Sequence, residues 1–175
     1  MSTMDERRKS YEEQQKEQEK FLQTLDRKTT LPPGKYWIGD PCYFVDDDKS
    51  RDITGPPSWD NILRDTLYSG EGNDEWFGYG KFPIAAPTSE KKEGYILCAS
   101  TIHGDGGYRG SNGFEYGVDA GLLGAFDADC ATASLAECER LGTLFVAEEP
   151  LEVSYTRKRI SFRSGEQELI IYINA

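Results

Sequence analysis

The run LFVAEEPLEVSYTRKRISFRSGEQELIIYI, residues 144–173, decides the fold. Its apolar residues fall into four short segments: Leu144 to Val146, Leu151 to Tyr155, Arg159 to Phe162 and Leu169 to Ile173. Alternation along such segments sends one set of side chains to each face of a sheet, and β-branched and aromatic residues suit that surface. Gly165-Glu166 marks a hairpin turn between the last two segments. No long helix alternates with these strands, which argues against a parallel α/β sheet.

Reading toward the N-terminus, Ser134-Leu135-Ala136-Glu137 has the S-x-x-E form of a capping box and opens a helix of about two turns. Before it, Phe114 to Val118 alternates like a strand, with Leu122 to Phe126 as its expected partner, and Tyr95 to Ser100 is a further strand. Trp59, Ile62, Leu63 and Leu67 make one apolar stripe on a helix from Trp59 to Tyr68, capped by Ser58. Gly70 to Gly80 reads as a loop, and the charged turn Ser89 to Glu93 leads into the strand at Tyr95. Lys35 to Ile38 and Cys42 to Val45 read as two β segments with the turn Gly39-Asp40-Pro41 between them. Residues 2–28 are rich in Glu, Gln, Lys and Arg without Gly or Pro, and predict a solvated helix held by i,i+4 pairs such as Asp5–Lys9. Only its last turns, with Phe21, Leu22 and Leu25, are apolar enough to dock.

The expected protein is therefore mainly β (α+β): an antiparallel β sandwich or half-open barrel with two short helices and a protruding N-terminal helix. Residues 1–30 form the charged helical extension, and residues 31–175 form a single β-rich domain.

Charge narrows the partners. The chain carries a formal net charge of -11, and residues 1–30 hold seven acids and seven bases, so the excess belongs to the body. An acidic body repels phosphate backbones and disfavours nucleic acid; a cationic protein partner or a bound cation fits better. No apolar run approaches the roughly 20 residues that span a bilayer, and the first residues lack a signal peptide's apolar core. The expected location is the cytoplasm, with Cys42, Cys98, Cys130 and Cys138 reduced.

Two motifs stand out for chemistry. The first is Gly39-Asp40-Pro41-Cys42-Tyr43. The second is the segment Thr101 to Asp127, which holds the only histidine, His103, then Asp105, eight glycines and Val118-Asp119-Ala120-Gly121. A cysteine nucleophile needs a base within hydrogen-bond reach and a group to orient it, so Cys42, His103 and Asp105 or Asp119 are the candidate triad. A small buried cysteine is the simpler account of Cys42. Cysteine spacing gives no zinc pattern, the acidic loops lack the EF-hand order, and no metal or cofactor is expected. Gly104-Asp105-Gly106-Gly107 lacks the lysine of a phosphate loop, so a glycine-bulged hairpin is expected, with Arg109 as its single cation. Asp119, before Ala-Gly, is expected to cap amides in its own turn. Asp40, Tyr43, Trp76, Phe77, Tyr108, Arg109 and Asp119 are the candidate ligand or partner contacts. Trp76-Phe77, in a glycine-flanked loop, is the expected exposed anchor.

With these motifs in hand, the chain resembles a family of small β-rich proteins from bacteria and their phages. The resemblance rests on Gly39 to Tyr43, Trp59, Thr101, Gly104-Asp105-Gly106, Tyr108, Val118 to Gly121 and Gly124. It implies one β domain in which both motifs share a site or corner, and it brings no activity with it. The functional expectation is a non-enzymatic protein-binding factor, with a small-ligand pocket or cysteine-dependent hydrolase at the two motifs as the alternative.

Overall fold

The computed structural model describes residues 3–46, 59–63, 67, 72–83 and 93–173. The body is β-rich and antiparallel, in open sheets rather than a closed barrel. One sheet has four strands in the order β1 (Asp26–Leu31), β9 (Leu151–Thr156), β10 (Arg159–Ser164), β11 (Gln167–Tyr172). The other has five, ordered β3 (Phe77–Pro83), β4 (Glu93–Ser100), β7 (Leu122–Asp127), β2 (Gly34–Gly39), β8 (Thr143–Ala147). A two-stranded ribbon, β5 (Gly106–Arg109) with β6 (Glu115–Val118), bridges to the edge of β11 through Gly110 and Ile171.

The four-stranded sheet packs its inner face on the five-stranded one. Leu151, Val153 and Tyr155 from β9 and Ile160 and Phe162 from β10 meet Tyr36, Ile38, Leu97, Leu123 and Ala125. The outer face of the five-stranded sheet is buried as well. Trp37, Ile96, Cys98 and Phe126 lie under Phe44, Trp59, Ile62, Cys130 and Cys138. This sheet is thus the central layer, and the second cover comes from short elements: a 3-10 turn at Pro41–Phe44, α2 (Trp59–Ile62), and α3 (Leu135–Leu141). Backbones come close here: a Cβ on Gly124 of β7 would sit 1.7 Å from the Leu97 carbonyl oxygen. Only glycine fits that site.

Helix α1 (Met4–Gln23) starts with the capping box of Thr3 and Glu6 and is exposed along its length until Leu22. Its foot is fixed by Leu22 and Leu25 in the core, by Phe21 at 6.1 Å from Trp76, and by the ion pair of Glu19 with Arg157. α3 begins as its sequence predicts, with the Ser134 hydroxyl accepting from the Glu137 amide.

Four expectations are corrected. The helix does not run to residue 28: Asp26–Leu31 is strand β1, paired with β9 from Asp26↔Thr156 to Leu31↔Leu151, so these residues belong to the body. Its alternating charges stay wet on the outer face while Leu31 is buried, which disguised the strand as helix. Cys42 to Val45 is not a strand; Pro41 and the Asp40 side chain on the Cys42 amide wind it into a 3-10 turn. Phe77 to Gly80 lies in β3 rather than a loop. Leu122 to Phe126 pairs with β4 and β2, while the partner of β6 is β5. The helical reading beyond Leu63 falls mostly outside the described residues, as do Ser58 and Ser89 to Lys92.

Candidate functional site

The two motifs meet at one corner of the central sheet, and a buried carboxylate joins them. Asp40 follows β2 and has no solvent exposure. Its Oδ1 accepts the Cys42 amide at 3.2 Å, and its Oδ2 accepts the amides of Asp119 and Ala120, each at 2.8 Å. The Cys42 thiol donates to the same carboxylate. Burial pushes the Asp40 carboxyl above its ordinary value, and these four hydrogen bonds, which favour the charged form, offset only part of that. Among the described residues, no cation contributes to its balance.

From Asp119 the corner continues in two directions. The Tyr43 hydroxyl donates to the Asp119 carboxylate, and desolvation together with that anion raises the phenol well above its usual range. On the other side, the Thr101 amide donates to the Gly121 carbonyl at 3.0 Å, and the Thr101 hydroxyl reaches the Gly104 and Gly121 carbonyls. Three turns, at residues 39–42, 101–104 and 118–121, are therefore linked in series.

The turn at Thr101 is strained. Ile102 has a φ of 70°, the one positive value on a non-glycine residue among the described residues. The His103 amide donates back to the Thr101 carbonyl at 2.7 Å. A bond from i+2 to i with φ near +70° is the uncommon γ-turn, and a β-branched residue there costs about 1–3 kcal/mol. The fixed hydrogen bonds of buried Thr101 hold it in place.

The site residues distribute as follows. Asp40, Cys42, Tyr43 and Asp119 form one cluster. His103 and Asp105 are exposed, and the His103 ring hydrogen-bonds to neither Cys42 nor Asp105. The group beside the Cys42 thiol is a carboxylate, not an imidazole. Asp119 does not cap its own turn; its amide is held by Asp40 and its side chain by Tyr43. Tyr108 is buried and donates its hydroxyl to the Gly104 carbonyl at 2.8 Å, while Arg109 is exposed. Trp76 and Phe77 are not a free anchor: Phe77 is 4% exposed and stacks on Tyr155 at 5.7 Å, and Trp76 receives Phe21 of α1. Among the described residues, no group of three or more His, Cys, Asp or Glu side chains is placed to hold a metal, and no helix is long and apolar enough to cross a membrane.

Sequence reasoning missed two participants. Ile102 gave no local signal beyond its place before the histidine. The partly exposed ion pair at the foot of α1, Arg27 to Asp74 at 2.5 Å, joins residues 47 apart in the chain. No protein family, curated protein or solved structure matches this chain.

Proposed function

We propose that this is a non-enzymatic binding protein that engages a protein partner through its acidic body and its N-terminal helix. The observation that carries the reading is the disposition of α1. Twenty residues, about 30 Å of helix, are fixed at one end and bare elsewhere. Met4 and Tyr11 are 86% and 61% exposed on it, and none of the described residues covers them. A helix polar on nearly every side does not help fold the body it is attached to, so reach is its remaining use. The chain carries a net charge of -11, nearly all of it outside the helix, which suits a cationic partner. The resemblance to bacterial and phage proteins points to a host or virion protein met in the cytoplasm.

The test is capture of partner by the full chain from its source cell. Substituting Met4→Ala with Tyr11→Ala should weaken capture by about tenfold, and raising salt should weaken it further. Capture indifferent to both changes rules the reading out. His103→Ala should leave capture unchanged.

A second reading, a small-ligand pocket or a cysteine-dependent site, draws on the strained turn that carries His103 and is tied through Gly121 to the turn held by Asp40. It predicts that His103→Ala abolishes binding while thermal unfolding stays as in the parent chain.

A further inference from the structure

The described residues leave four strand edges on the two large sheets, and three are blunted. β1 carries Asp26, Arg27 and Lys28. β3 is interrupted by Gly78 and Gly80 and ends in Lys81, Phe82 and Pro83. β11 is covered where Gly110 bridges Ile171 and the Ser111 amide donates to the Ile170 carbonyl at 2.7 Å. Charge, glycine, proline and cover are the devices by which sheets avoid pairing edge to edge. β8 has none of them. Its sequence Thr-Leu-Phe-Val-Ala is uncharged, it ends the five-stranded order, and Leu144 and Val146 are 47% and 41% exposed.

We propose that β8 pairs antiparallel with β8 of a second copy of this chain, joining the two five-stranded sheets across a two-fold axis at Phe145. The strand is complementary to itself in that register. Leu144 of each copy faces Val146 of the other, Thr143 faces Ala147, and Phe145 faces Phe145. A two-fold contact requires this reciprocity, in which residue i meets j and j meets i. Both exposed aliphatic side chains are then covered by each other. Phe145 and Ala147 already point into the core and stay where they are.

The antiparallel sense follows from charge. Glu148 and Glu149 come directly after β8. A parallel pairing sets them against the same residues of the second copy; the antiparallel one sends them to opposite ends. Each copy still carries a net charge of -11, so the bodies repel, and screening by salt strengthens the dimer. The partner-binding reading has the opposite salt dependence, so the two stand or fall separately.

The experiment is the mass of the full chain in solution, by sedimentation equilibrium up to about 0.5 mM, a range that populates even weak contacts. Mass should rise toward the dimer with concentration, and more so in about 0.5 M salt than in 0.05 M salt. Val146→Lys should weaken the dimer by at least about tenfold through like charges near the axis. Leu135→Lys, on the exposed start of α3, should leave it unchanged. A monomer under every condition overturns the proposal, as does a dimer that survives Val146→Lys. Should Val146→Lys unfold, hydrogen exchange on the parent chain decides: β8 amides should gain protection as concentration rises, and a dimer forming without that gain refutes the pairing.

Discussion

Asp40 and Asp74 do the same local job in opposite surroundings. Asp40 accepts three backbone amides from turns at residues 42, 119 and 120. Asp74 accepts the amides of Trp76 and Phe77 at 2.9 and 3.0 Å on one oxygen and Arg27 on the other. Asp40 is fully buried and, among the described residues, no cation contributes to its balance, so desolvation wins and its carboxyl is pushed up. Asp74 is only partly buried; desolvation opposes ionisation there too, but the amides and the guanidinium overcome it and hold its carboxyl down. Hydrogen-bond count does not decide the direction of the shift. Depth and the presence of a counter-ion do.

The largest test of this contrast is Asp40→Ala. It leaves three amides at the corner without an acceptor and should cost about 3 kcal/mol, read from denaturant unfolding. Asp40→Asn keeps one acceptor oxygen and should cost less, but its value lies in pH. A carboxyl whose folded pKa is raised contributes stability present below its unfolded value, 3.8, and lost as pH rises through the folded one. The parent chain should therefore lose part of its stability on going upward from pH 3.8, and Asp40→Asn should remove that part. An unchanged slope in the variant shows that the amides, not burial, control Asp40.

Asp74→Asn comes next in size, about 1 kcal/mol at neutral pH, because one oxygen still serves the two amides. The sign of its pH dependence is reversed. Its depressed folded pKa gives stability present above 3.8 and lost as pH falls through the folded value. Thermal melts below pH 3.8 should be flatter in the variant than in the parent. If both variants alter the same limb, the contrast between the two carboxylates is wrong.

How much of this was readable in the sequence follows from range. Strands β9, β10 and β11 show period-two burial, with Leu151, Val153 and Tyr155 alternating with wet residues, so local pattern found them. The motif at Asp40 was also visible, since Asp-Pro after glycine forces a turn. The hydrogen bonds from Asp40 to Asp119 and Ala120 span 79 and 80 residues, and no local pattern encodes a contact of that reach. Composition misled at β1, where Asp26, Arg27 and Lys28 continue the charge of α1 although the backbone has changed partner. It misled again at β3: Gly78 reads as loop, but its missing side chain makes room for the Leu67 carbonyl, 3.1 Å from where a Cβ would sit. The strain at Ile102 is held by local hydrogen bonds around Thr101 together with its long-range bonds to Gly121, and it leaves no mark in the sequence.

The smallest effect isolates the cation. Arg27→Met keeps the aliphatic stem on β1 and deletes the charge that Asp74 faces. Both side chains of the pair are about a third exposed, at 31% and 36%, so solvent screening limits the loss to about 0.5 kcal/mol. Its use is directional. Without the guanidinium, Asp74 retains two amides, a partner set close to that of Asp40 but in a shallower place. If depth governs these groups, the carboxyl of Asp74 should rise toward 3.8 without passing far above it, which carbon-detected NMR titration of the side chain would measure. A shift well beyond that value would mean that the counter-ion alone separates Asp74 from Asp40, and that burial at the corner is incidental.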